Sequence, residues 1–518
     1  MRRHRLYRVT QADSNLPLNY TTPGTTAPPK QHALLRTMGL FSLVVYGVGD
    51  MVGSGIYGTV GKAAGQMGNA VWLAFVVSMI AAMLTGLSYA SIASRYPRAA
   101  GAAYVTHRAW HVAFFSYVIG LTVAASGLTS MATSTNVFSA TFADVLGVTP
   151  SLGMADFSFG PMSIGIGTAK LAIPRITIVH VPASVAIIIV AFLLMLTFVN
   201  FWGIRESMWT NILCTAVEVG GLLFVIAVGM RSWGSIDYFE TPPAADGSAT
   251  RLGPTMLFSG AVLTFFAFVG FEDMLNVSEE VKSPERTMPW GIILAVAIAT
   301  LLYIGVAVTS VSVVHYTVLA KAPAPLAAIT EKAAAWMPPW VFKVVTMFAV
   351  ANTVLINYIM GSRLLYGMAR QGLVPAALGR VHATRRTPHR AILALLCVVL
   401  VLAFASGVTQ LGTATGLLLL FCFAIVNGAL IVLKLRPGEP RGSFEVPVIV
   451  PALGICVNVA LIVFRLMDQA RIARESPQAG LSAPAIAGLL VLGISVLFLI
   501  MRPKTITEEA LAQVEEES

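Results

Sequence analysis

Long apolar runs separated by short polar segments make up most of the chain. Twelve of these runs are close to the 20 residues that an α-helix needs to cross roughly 30 Å of hydrocarbon. An even number of spans places both termini on one side of the membrane. The pattern therefore predicts an all-α membrane protein with about 12 transmembrane helices. The predicted spans are 38–60, 70–94, 106–140, 176–199, 209–230, 254–277, 288–314, 339–369, 390–408, 411–434, 446–467 and 483–501.

Two of the predicted spans carry the same kind of interruption. The stretch "YGVGDMVGSGIYG" places five glycines and Asp50 in the first span, although glycine costs about 1 kcal/mol inside a helix. An aspartate at mid-bilayer costs roughly 2.5 kcal/mol or more. In the sixth span, "FFAFVGFEDMLNVSEE" places Gly270, Glu272 and Asp273 in an apolar run. The two breaks are five spans apart. Because five is an odd number, the second unit starts on the opposite side of the membrane, so the matching breaks predict a 5+5 inverted repeat.

Interrupted helices at corresponding positions of inverted halves are typical of the central site of a transporter. The repeat therefore divides the chain into a predicted transport core and three further parts. The core has ten helices, and the last two spans follow it. The polar N-terminal arm has no apolar region of the kind that a cleaved signal peptide needs. The predicted divisions are a cytoplasmic N-terminal arm at 1–36, the core at 37–434 (repeat one 37–231, repeat two 254–434), two additional helices at 446–501 and an acidic cytoplasmic tail at 502–518.

The two interruptions predict the chemistry of a ligand. A Gly-x-Gly step lets a helix unwind, and the exposed backbone groups must face protein or a water-filled cavity. A half-helix N-terminus suits a carboxylate, whereas freed carbonyl groups suit an ammonium group or a metal cation. An amino acid carries both a carboxylate and an ammonium, so the pattern predicts an amino acid as substrate. The alternative is that 53–55 form a small-residue surface for helix packing.

Composition supports membrane embedding and excludes a large soluble core. The 518 residues are 56% hydrophobic and 11% charged, with a mean hydropathy of +0.78, whereas soluble domains are about 25% charged. The net charge of +10 is concentrated on the connections of one membrane side. The positive-inside rule then places both termini in the cytoplasm of a multi-pass plasma membrane protein. The charge is therefore an orientation signal and no sign of a nucleic acid partner, while binding of anionic lipid stays open.

The sequence contains none of the enzyme motifs that we considered. The chain has no Walker sequence, no H-E-x-x-H and no G-x-S-x-G. We therefore expect a protein that is not an enzyme, with no catalytic residue, no metal site and no cofactor. The expected coupling ion is a proton, with sodium as the alternative.

Five segments in order resemble one family, the amino acid–polyamine–organocation superfamily of transporters with the LeuT fold. The resemblance is to bacterial amino acid permeases similar to the cationic amino acid transporters, and it covers about 36–470. The segments are "GVGDMVGSGIYGTVGKAAG", "SYASIASRYPRAAGAAYVTHRAW", "NFWGIRESMWTN", "FFAFVGFEDMLNVSEEVKSPERTMPWGI" and "SRLLYGMARQGLVPAALGRVHATRRTPHRA".

The resemblance implies a set of substrate contacts at the two breaks. The substrate carboxylate would meet backbone N–H groups and the hydroxyl group of "GSG", and the ammonium would meet backbone carbonyls at the ends of the half-helices. Phe266 takes the position of an aromatic gate, with core packing as its alternative role. The predicted substrate-binding residues are Met51, Gly53, Ser54, Gly55, Phe266, Phe268, Val269 and Gly270.

Glu218 departs from the family pattern. In sodium-independent relatives a lysine at the matching position of the fifth span takes the place of a sodium ion, and here the charge is reversed. A buried glutamate can hold a proton near neutral pH. The hypothesis is that Glu218 couples transport to an ion next to Asn352 and Thr353, and the alternative is a hydrogen-bonded structural glutamate.

The remaining buried acids have several candidate roles. Asp50 lies one helical turn before Gly53, so it can bind a cationic substrate, share a coupling ion with Glu218 or cap backbone N–H groups. Adjacent helical positions point about 100° apart, so Glu272 and Asp273 are not expected to share one site. One of them is expected to line the pathway while the other pairs with an arginine or caps the second half-helix.

Charged residues near the end of the sixth span are candidates for an inward gate. In the family such loops carry salt bridges that hold this gate shut, and a solvated loop is the alternative. The candidates are Glu279, Glu280, Arg286, Arg95 and Arg98.

Together these patterns predict a secondary active transporter that imports amino acids by alternating access. Cationic amino acids or polyamines are the expected substrates, and coupling to protons is expected. The alternatives are an exchanger of amino acids or amines and a sodium-coupled carrier. The expected partners are the small-molecule substrate and the lipid bilayer, with the oligomeric state open.

Overall fold

The computed structural model describes residues 34–147, 154–159, 162–166, 169–173, 176–243, 252–322, 324–404, 408–475, 483–501 and 503. The helices are α1 Leu40–Met51, α2 Ser54–Met67, α3 Val71–Arg95, α4 Gly101–Trp110, α5 Ala113–Val145, α6 Ala183–Trp202, α7 Ile204–Gly229, α8 Pro254–Phe265, α9 Pro284–Val313, α10 Tyr316–Lys321, α11 Pro325–Ala333, α12 Pro339–Arg370, α13 His389–Phe404, α14 Val408–Leu435, α15 Ile449–Glu475 and α16 Ala483–Met501. Most of the predicted N-terminal arm and nearly all of the acidic tail lie outside the described residues.

The helical membrane region agrees with the predicted fold class. Eleven helical segments of the described chain are long and apolar enough to cross a membrane. The ninth predicted span corresponds to α13, an apolar helix of 16 residues. At 1.5 Å per residue it is about 24 Å long. The predicted total of about 12 transmembrane helices therefore compares with eleven helices of sufficient length and one shorter apolar helix among the described residues.

Two predicted span starts were wrong. The third span begins at Ala113, and the preceding apolar residues form the separate helix α4, which ends at His111 in the left-handed region with φ of 54°. The fourth span begins at Ala183, because 176–182 form a strand. The four strands are β1 Met154–Phe159, β2 Met162–Ile166, β3 Ala169–Ile173 and β4 Ile176–Pro182, with β1 antiparallel to β4 and β2 antiparallel to β3.

Several helices that are five spans apart pack against each other. The second and seventh spans, α3 and α9, share the most extensive contact between described elements, and the third and eighth, α5 and α12, share the next. The fourth and ninth, α6 and α13, also pack together. The first and sixth spans meet at their breaks, which places the interruptions at the centre of the bundle.

Both predicted breaks are present. In the first span, α1 ends at Met51 and α2 begins at Ser54. In the sixth span, α8 is followed by a 3₁₀ turn, Phe266–Phe268, and a second 3₁₀ segment, Phe271–Glu280, begins beyond Gly270. Gly270 has φ of +131°, a conformation that L side chains rarely adopt.

Candidate substrate cavity

A cavity of about 230 Å³ lies between the two breaks and the third, eighth and tenth spans. Its walls combine carboxyl, hydroxyl and backbone groups with a few apolar side chains. The lining residues are Asp50, Met51, Gly55, Val123, Ser126, Gly127, Thr129, Ser130, Thr133, Phe266, Val269, Gly270, Glu272, Asp273, Thr353, Asn357, Thr415, Gly416 and Leu419. None of these residues is a lysine, arginine or histidine, so the described cavity wall carries only acidic ionisable groups.

The two breaks touch at Gly270. A Cβ atom added there would lie 3.0 Å from the backbone carbon and the Cγ of Asp50, and 3.1 Å from the amide nitrogen of Met51. Tyr303 of α9 fixes the crossing from a second side. Its buried hydroxyl group lies 2.6 Å from the Met51 carbonyl oxygen and 2.7 Å from that of Ala267. The Tyr303 hydroxyl proton is therefore shared between one carbonyl group from the first-span break and one from the sixth-span break.

Three buried carboxyl groups gather at this crossing. Asp50 and Asp273 are buried and line the same cavity, and Asp50 Oδ2 has no hydrogen-bond partner among the described groups. The backbone N–H of Gly270 donates to Glu272 Oε2 at 2.9 Å. The expectation that Glu272 and Asp273 do not share a site was wrong, since both line the cavity. The reason is local: Glu272 folds back to accept from the Gly270 N–H and so turns toward the cavity that Asp273 also lines.

Hydroxyl and amide groups form the opposite wall, and the sequence reasoning missed them. The third span contributes Ser126, Ser130 and two threonines. Thr129 and Thr415 bond to each other at 3.0 Å, and Asn357 Nδ2 donates to the Thr353 carbonyl oxygen at 2.9 Å. The hydroxyl-rich run "SGLTSMATST" in an apolar span is the sequence signal that could have found this wall.

Phe266, the predicted aromatic gate, is one of the residues that line the cavity. A Cβ atom added to Gly416 would clash with its ring, so the glycine makes room for the phenyl group. The guanidinium carbon of Arg465, on α15, is 5.6 Å from the ring centroid. The eleventh span, which lies outside the predicted repeat, therefore contacts the candidate gate.

The other predicted substrate-binding residues divide into two groups. Met51, Gly55, Val269 and Gly270 line the cavity together with Phe266. Phe268 is fully buried and packs edge-on against Tyr303, with ring centroids 5.1 Å apart. Gly53 approaches the Thr353 hydroxyl group, and Ser54 begins α2, although its side chain lies outside the described part of the structure.

Glu218 lies in a buried polar cluster beside the cavity and does not line it. Asn352 Nδ2 is 2.9 Å from Thr215 Oγ1 and 3.5 Å from both Glu218 Oε2 and the Gly49 carbonyl oxygen. Asn211 Nδ2 donates to Asn352 Oδ1 at 2.9 Å. Glu218 Oε1 is buried without a hydrogen-bond partner among the described groups. The cluster joins the fifth and eighth spans to the backbone of α1.

A buried ion pair links helices on the side that carries the N-terminal segment and the arginine-rich connections, which we name the basic side. Arg363 of α12 and Glu280 are both fully buried, and Arg363 Nε donates to Glu280 Oε2 at 3.1 Å. Arg363 Nη1 also donates to Asn200 Oδ1 at 3.0 Å. The Glu280 carbonyl oxygen accepts from the N–H of Thr37 at 2.9 Å. This ion pair therefore joins the sixth and eighth spans to the entry of the first.

Three of the predicted gate candidates contact residues outside the predicted set. Glu280 pairs with Arg363, whereas Arg95 pairs with Glu445 at 2.6 Å. Glu279 Oε1 accepts from the N–H of Ala99 at 3.0 Å. Their partners lie more than 80 residues away along the chain, which is why the sequence did not reveal them.

Comparison with known proteins identifies the family. The family model described as "Amino acid permease" matches residues 38–492. The branched-chain amino acid permease BcaP of Bacillus subtilis (strain 168) is 27% identical over 439 residues, which cover 83% of this chain and 88% of the relative. The methylthioribose transporter of the same organism is 27% identical over 441 residues, 83% of this chain and 89% of the relative.

A plant relative points to the same family. The vacuolar cationic amino acid transporter 2 of Arabidopsis thaliana is 30% identical over 428 residues, 79% of this chain. The match spans 61% of that longer protein. The matching family and these relatives are transporters and not enzymes. The chain belongs to the amino acid permease family of the amino acid–polyamine–organocation superfamily.

Proposed function

We propose that this permease imports amino acids with a positively charged side chain. The carrying observation is the cavity wall, in which Asp50, Glu272 and Asp273 meet and no basic residue takes part. A neutral amino acid brings one ammonium group for these carboxyl groups. A lysine- or arginine-like substrate brings a second cation, which offsets more of the buried negative charge.

The substrate carboxylate is assigned to the start of α2. The first N–H groups of a helix have no partner within the helix and carry partial positive charge. Gly55 lies in this first turn and lines the cavity. The ammonium is assigned to the carbonyl oxygen of Met51, which has a second lone pair beside the bond from Tyr303.

Transport is proposed to be driven by a proton gradient through Glu218. A lone ionised carboxylate in an apolar interior is costly, and one oxygen of Glu218 has no described partner. The carboxyl group is fully buried and sits against α1 through Asn352. Its protonation therefore bears on the helix that carries the substrate site.

Alternating access is proposed as rocking of helix bundles around the cavity. The Arg363–Glu280 pair ties the sixth and eighth spans together on the basic side, so it must separate when the cavity opens there. We place this side in the cytoplasm and the protein in the plasma membrane, because the arginine-rich connections follow the positive-inside rule.

The experiment is uptake by the full chain reconstituted into empty liposomes without sodium. With an imposed proton gradient, lysine should accumulate, and leucine should compete poorly. Preference for leucine would contradict the cationic assignment. Uptake that requires preloaded amino acid, in a counterflow design, would identify an exchanger. Uptake that requires sodium would identify a sodium-coupled carrier.

Putrescine provides a further arm of the same experiment. It carries two ammonium groups and no carboxylate, so it tests the contact assigned to α2. Lysine should compete better than putrescine if that contact contributes, and equal competition would remove the carboxylate assignment while leaving the cationic one intact.

A further inference from the structure

An apolar groove opens between α6 and α13 at their basic-side ends, away from the substrate cavity. Its volume is about 230 Å³. The side chains of Phe198 and Leu393 are 57% and 54% exposed, so the groove faces outward at the depth of the lipid. Its lining residues are Leu194, Thr197, Phe198, Phe201, His389, Ile392 and Leu393.

A cluster of basic side chains lies at the end of this groove, which we name the basic rim. The guanidinium carbon of Arg385 is 4.2 Å from the centroid of the Trp202 ring, and Trp202 packs against Phe198, with centroids 4.9 Å apart. The rim consists of Arg380, Arg385, Arg386 and Arg390, with His382 and His389 between them. Trp202 thus connects the rim to the groove.

The basic rim has no acidic counterpart on its own segment. From Gln371 to Leu435 the sequence contains no Asp or Glu. In the part of the chain that the structure describes, none of the four rim arginines forms an ion pair. The acid on the neighbouring connection is Glu206, which is exposed at the start of α7. The rim is therefore an excess of positive charge at the membrane boundary.

Hydrogen bonds hold the rim against the groove. Thr387 is buried, and its Oγ1 donates to the carbonyl oxygen of Phe201 at 3.1 Å. The N–H of Arg386 donates to the carbonyl oxygen of His382, and the N–H of His382 to that of Thr387, both at 2.9 Å. The rings of Phe201 and His382 lie 5.5 Å apart. The rim and the groove are thus parts of one ordered structure.

We propose that this site binds an anionic phospholipid, with its phosphate on the basic rim and one acyl chain in the groove. Basic clusters at the cytoplasmic ends of membrane helices attract anionic lipid, and arginine suits phosphate through paired N–H donors. The apolar helix α13 begins at His389, directly after the rim segment. The rim therefore lies at the membrane boundary, where lipid phosphates are found.

A lipid explains the two halves of the site together. A soluble phosphate would occupy the rim and leave the groove empty, whereas a neutral lipid would fill the groove and leave the arginines without a counter-charge. The proposal does not rest on the transported substrate, because the site shares no residue with the central cavity.

The test uses the full chain in vesicles of equal parts phosphatidylcholine and phosphatidylglycerol, followed by native mass spectrometry of the lipids that stay bound. The unmodified protein should retain phosphatidylglycerol over phosphatidylcholine. The double variant Arg385→Gln/Arg390→Gln should bind it about 25-fold more weakly, since each arginine contributes about 1 kcal/mol, or about fivefold. Equal retention of the two lipids by the unmodified protein would overturn the proposal.

A matched control removes two positive charges elsewhere on the basic side. Lys282 and Arg441 are exposed and lie outside the rim, so Lys282→Gln/Arg441→Gln should keep the selectivity for phosphatidylglycerol. An equal loss of phosphatidylglycerol binding in this control would mean that only the net charge matters, and it would overturn the proposed site.

The groove is tested separately with Leu393→Trp, which fills it and leaves the arginines intact. This variant should also lose phosphatidylglycerol, and unchanged binding would overturn the acyl-chain half of the proposal. Glycerol 3-phosphate, which has the phosphate but no chain, should not displace the lipid. Displacement by it would assign the rim to soluble phosphates instead. Thermal unfolding of each variant checks that the fold is intact.

Discussion

At the residue scale, Asp50 is the acid that lies where the two helix breaks meet. It is buried, lines the cavity together with Glu272 and Asp273, and lies directly against Gly270. Among its three predicted roles, the position against the cavity favours contact with a cationic substrate, whereas the cap on the Gly270 N–H comes from Glu272.

Replacing Asp50 with asparagine should change substrate preference. Asp50→Asn keeps the size of the side chain and removes one buried negative charge, so the KM for lysine should rise about tenfold or more, equivalent to about 1.4 kcal/mol. Leucine uptake should change less. The control is Asp144→Asn, at an exposed ion pair with Lys343, where uptake should hardly change. Equal losses for lysine and leucine would instead support a structural role for Asp50.

Glu218→Gln should separate substrate exchange from proton-driven accumulation. The amide cannot carry a proton through the cycle, but it preserves hydrogen bonding to Asn352. Counterflow of lysine should persist while accumulation under a proton gradient falls to the level without a gradient. The control is Glu206→Gln, at an exposed position on the same helix. Accumulation that stays equal to that of the unmodified protein would remove Glu218 from the coupling role.

Glu445, in the 436–448 connection, is not expected to contribute to a dependence of transport on pH. Burial opposes ionisation of Glu445, but hydrogen bonds from Arg95, Lys434 and the Gly442 N–H outweigh it and lower its pKa to about 2. A lowered carboxyl pKa contributes stability that is present above the ordinary value and is lost only as the pH falls toward the lowered one. Glu445 therefore stays ionised across the neutral range and adds no pH dependence there.

At the element scale, the two breaks could be predicted because glycines and acids stand out in an apolar run. The boundaries near α4 and β4 could not. The residues of β4, "ITIVHVP", are apolar and continue directly into α6, so length and hydropathy cannot separate strand from span. Tyr303 and Arg363 were missed for another reason. Each lies in a long span where the sequence does not single it out, and its partners come from distant parts of the chain.

Gly270→Ala tests whether the sixth-span break needs its unusual backbone. The φ of +131° is strained for alanine, and the added Cβ would lie 3.0 Å from Asp50. We therefore expect the free energy of unfolding to fall by about 1–3 kcal/mol. The melting temperature and the uptake rate should both fall.

The matched control is Gly220→Ala, in the middle of α7. No atom lies within 4 Å of its added Cβ, and alanine favours a helix by about 1 kcal/mol. Its melting temperature should stay equal or rise with uptake preserved. A Gly270→Ala protein as active and stable as this control would show that the break tolerates an ordinary residue.

At the scale of the whole molecule, two kinds of ion pair hold the basic side together. The Arg95–Glu445 pair reaches the surface through Glu445, whose side chain is 30% exposed, whereas Arg363 and Glu280 are fully buried between moving parts of the proposed cycle. Breaking a buried pair leaves a charge without compensation, and this costs about 3–5 kcal/mol. A surface pair costs much less to break. The buried pair is therefore the one that can set the balance between closed and open states.

Glu280→Gln should open the cavity toward the basic side. The measurement is labelling of Ser130→Cys, in the cavity wall, by a membrane-impermeant maleimide applied from that side, in a background without the four native cysteines. Labelling should accelerate in Glu280→Gln and stay unchanged in Glu445→Gln, which breaks the surface pair. Because the guanidinium of Arg363 then lacks its partner, adding Arg363→Met should restore part of the lost stability. Equal labelling rates in Glu280→Gln and Glu445→Gln would assign the buried pair to the fold and remove it from the gate.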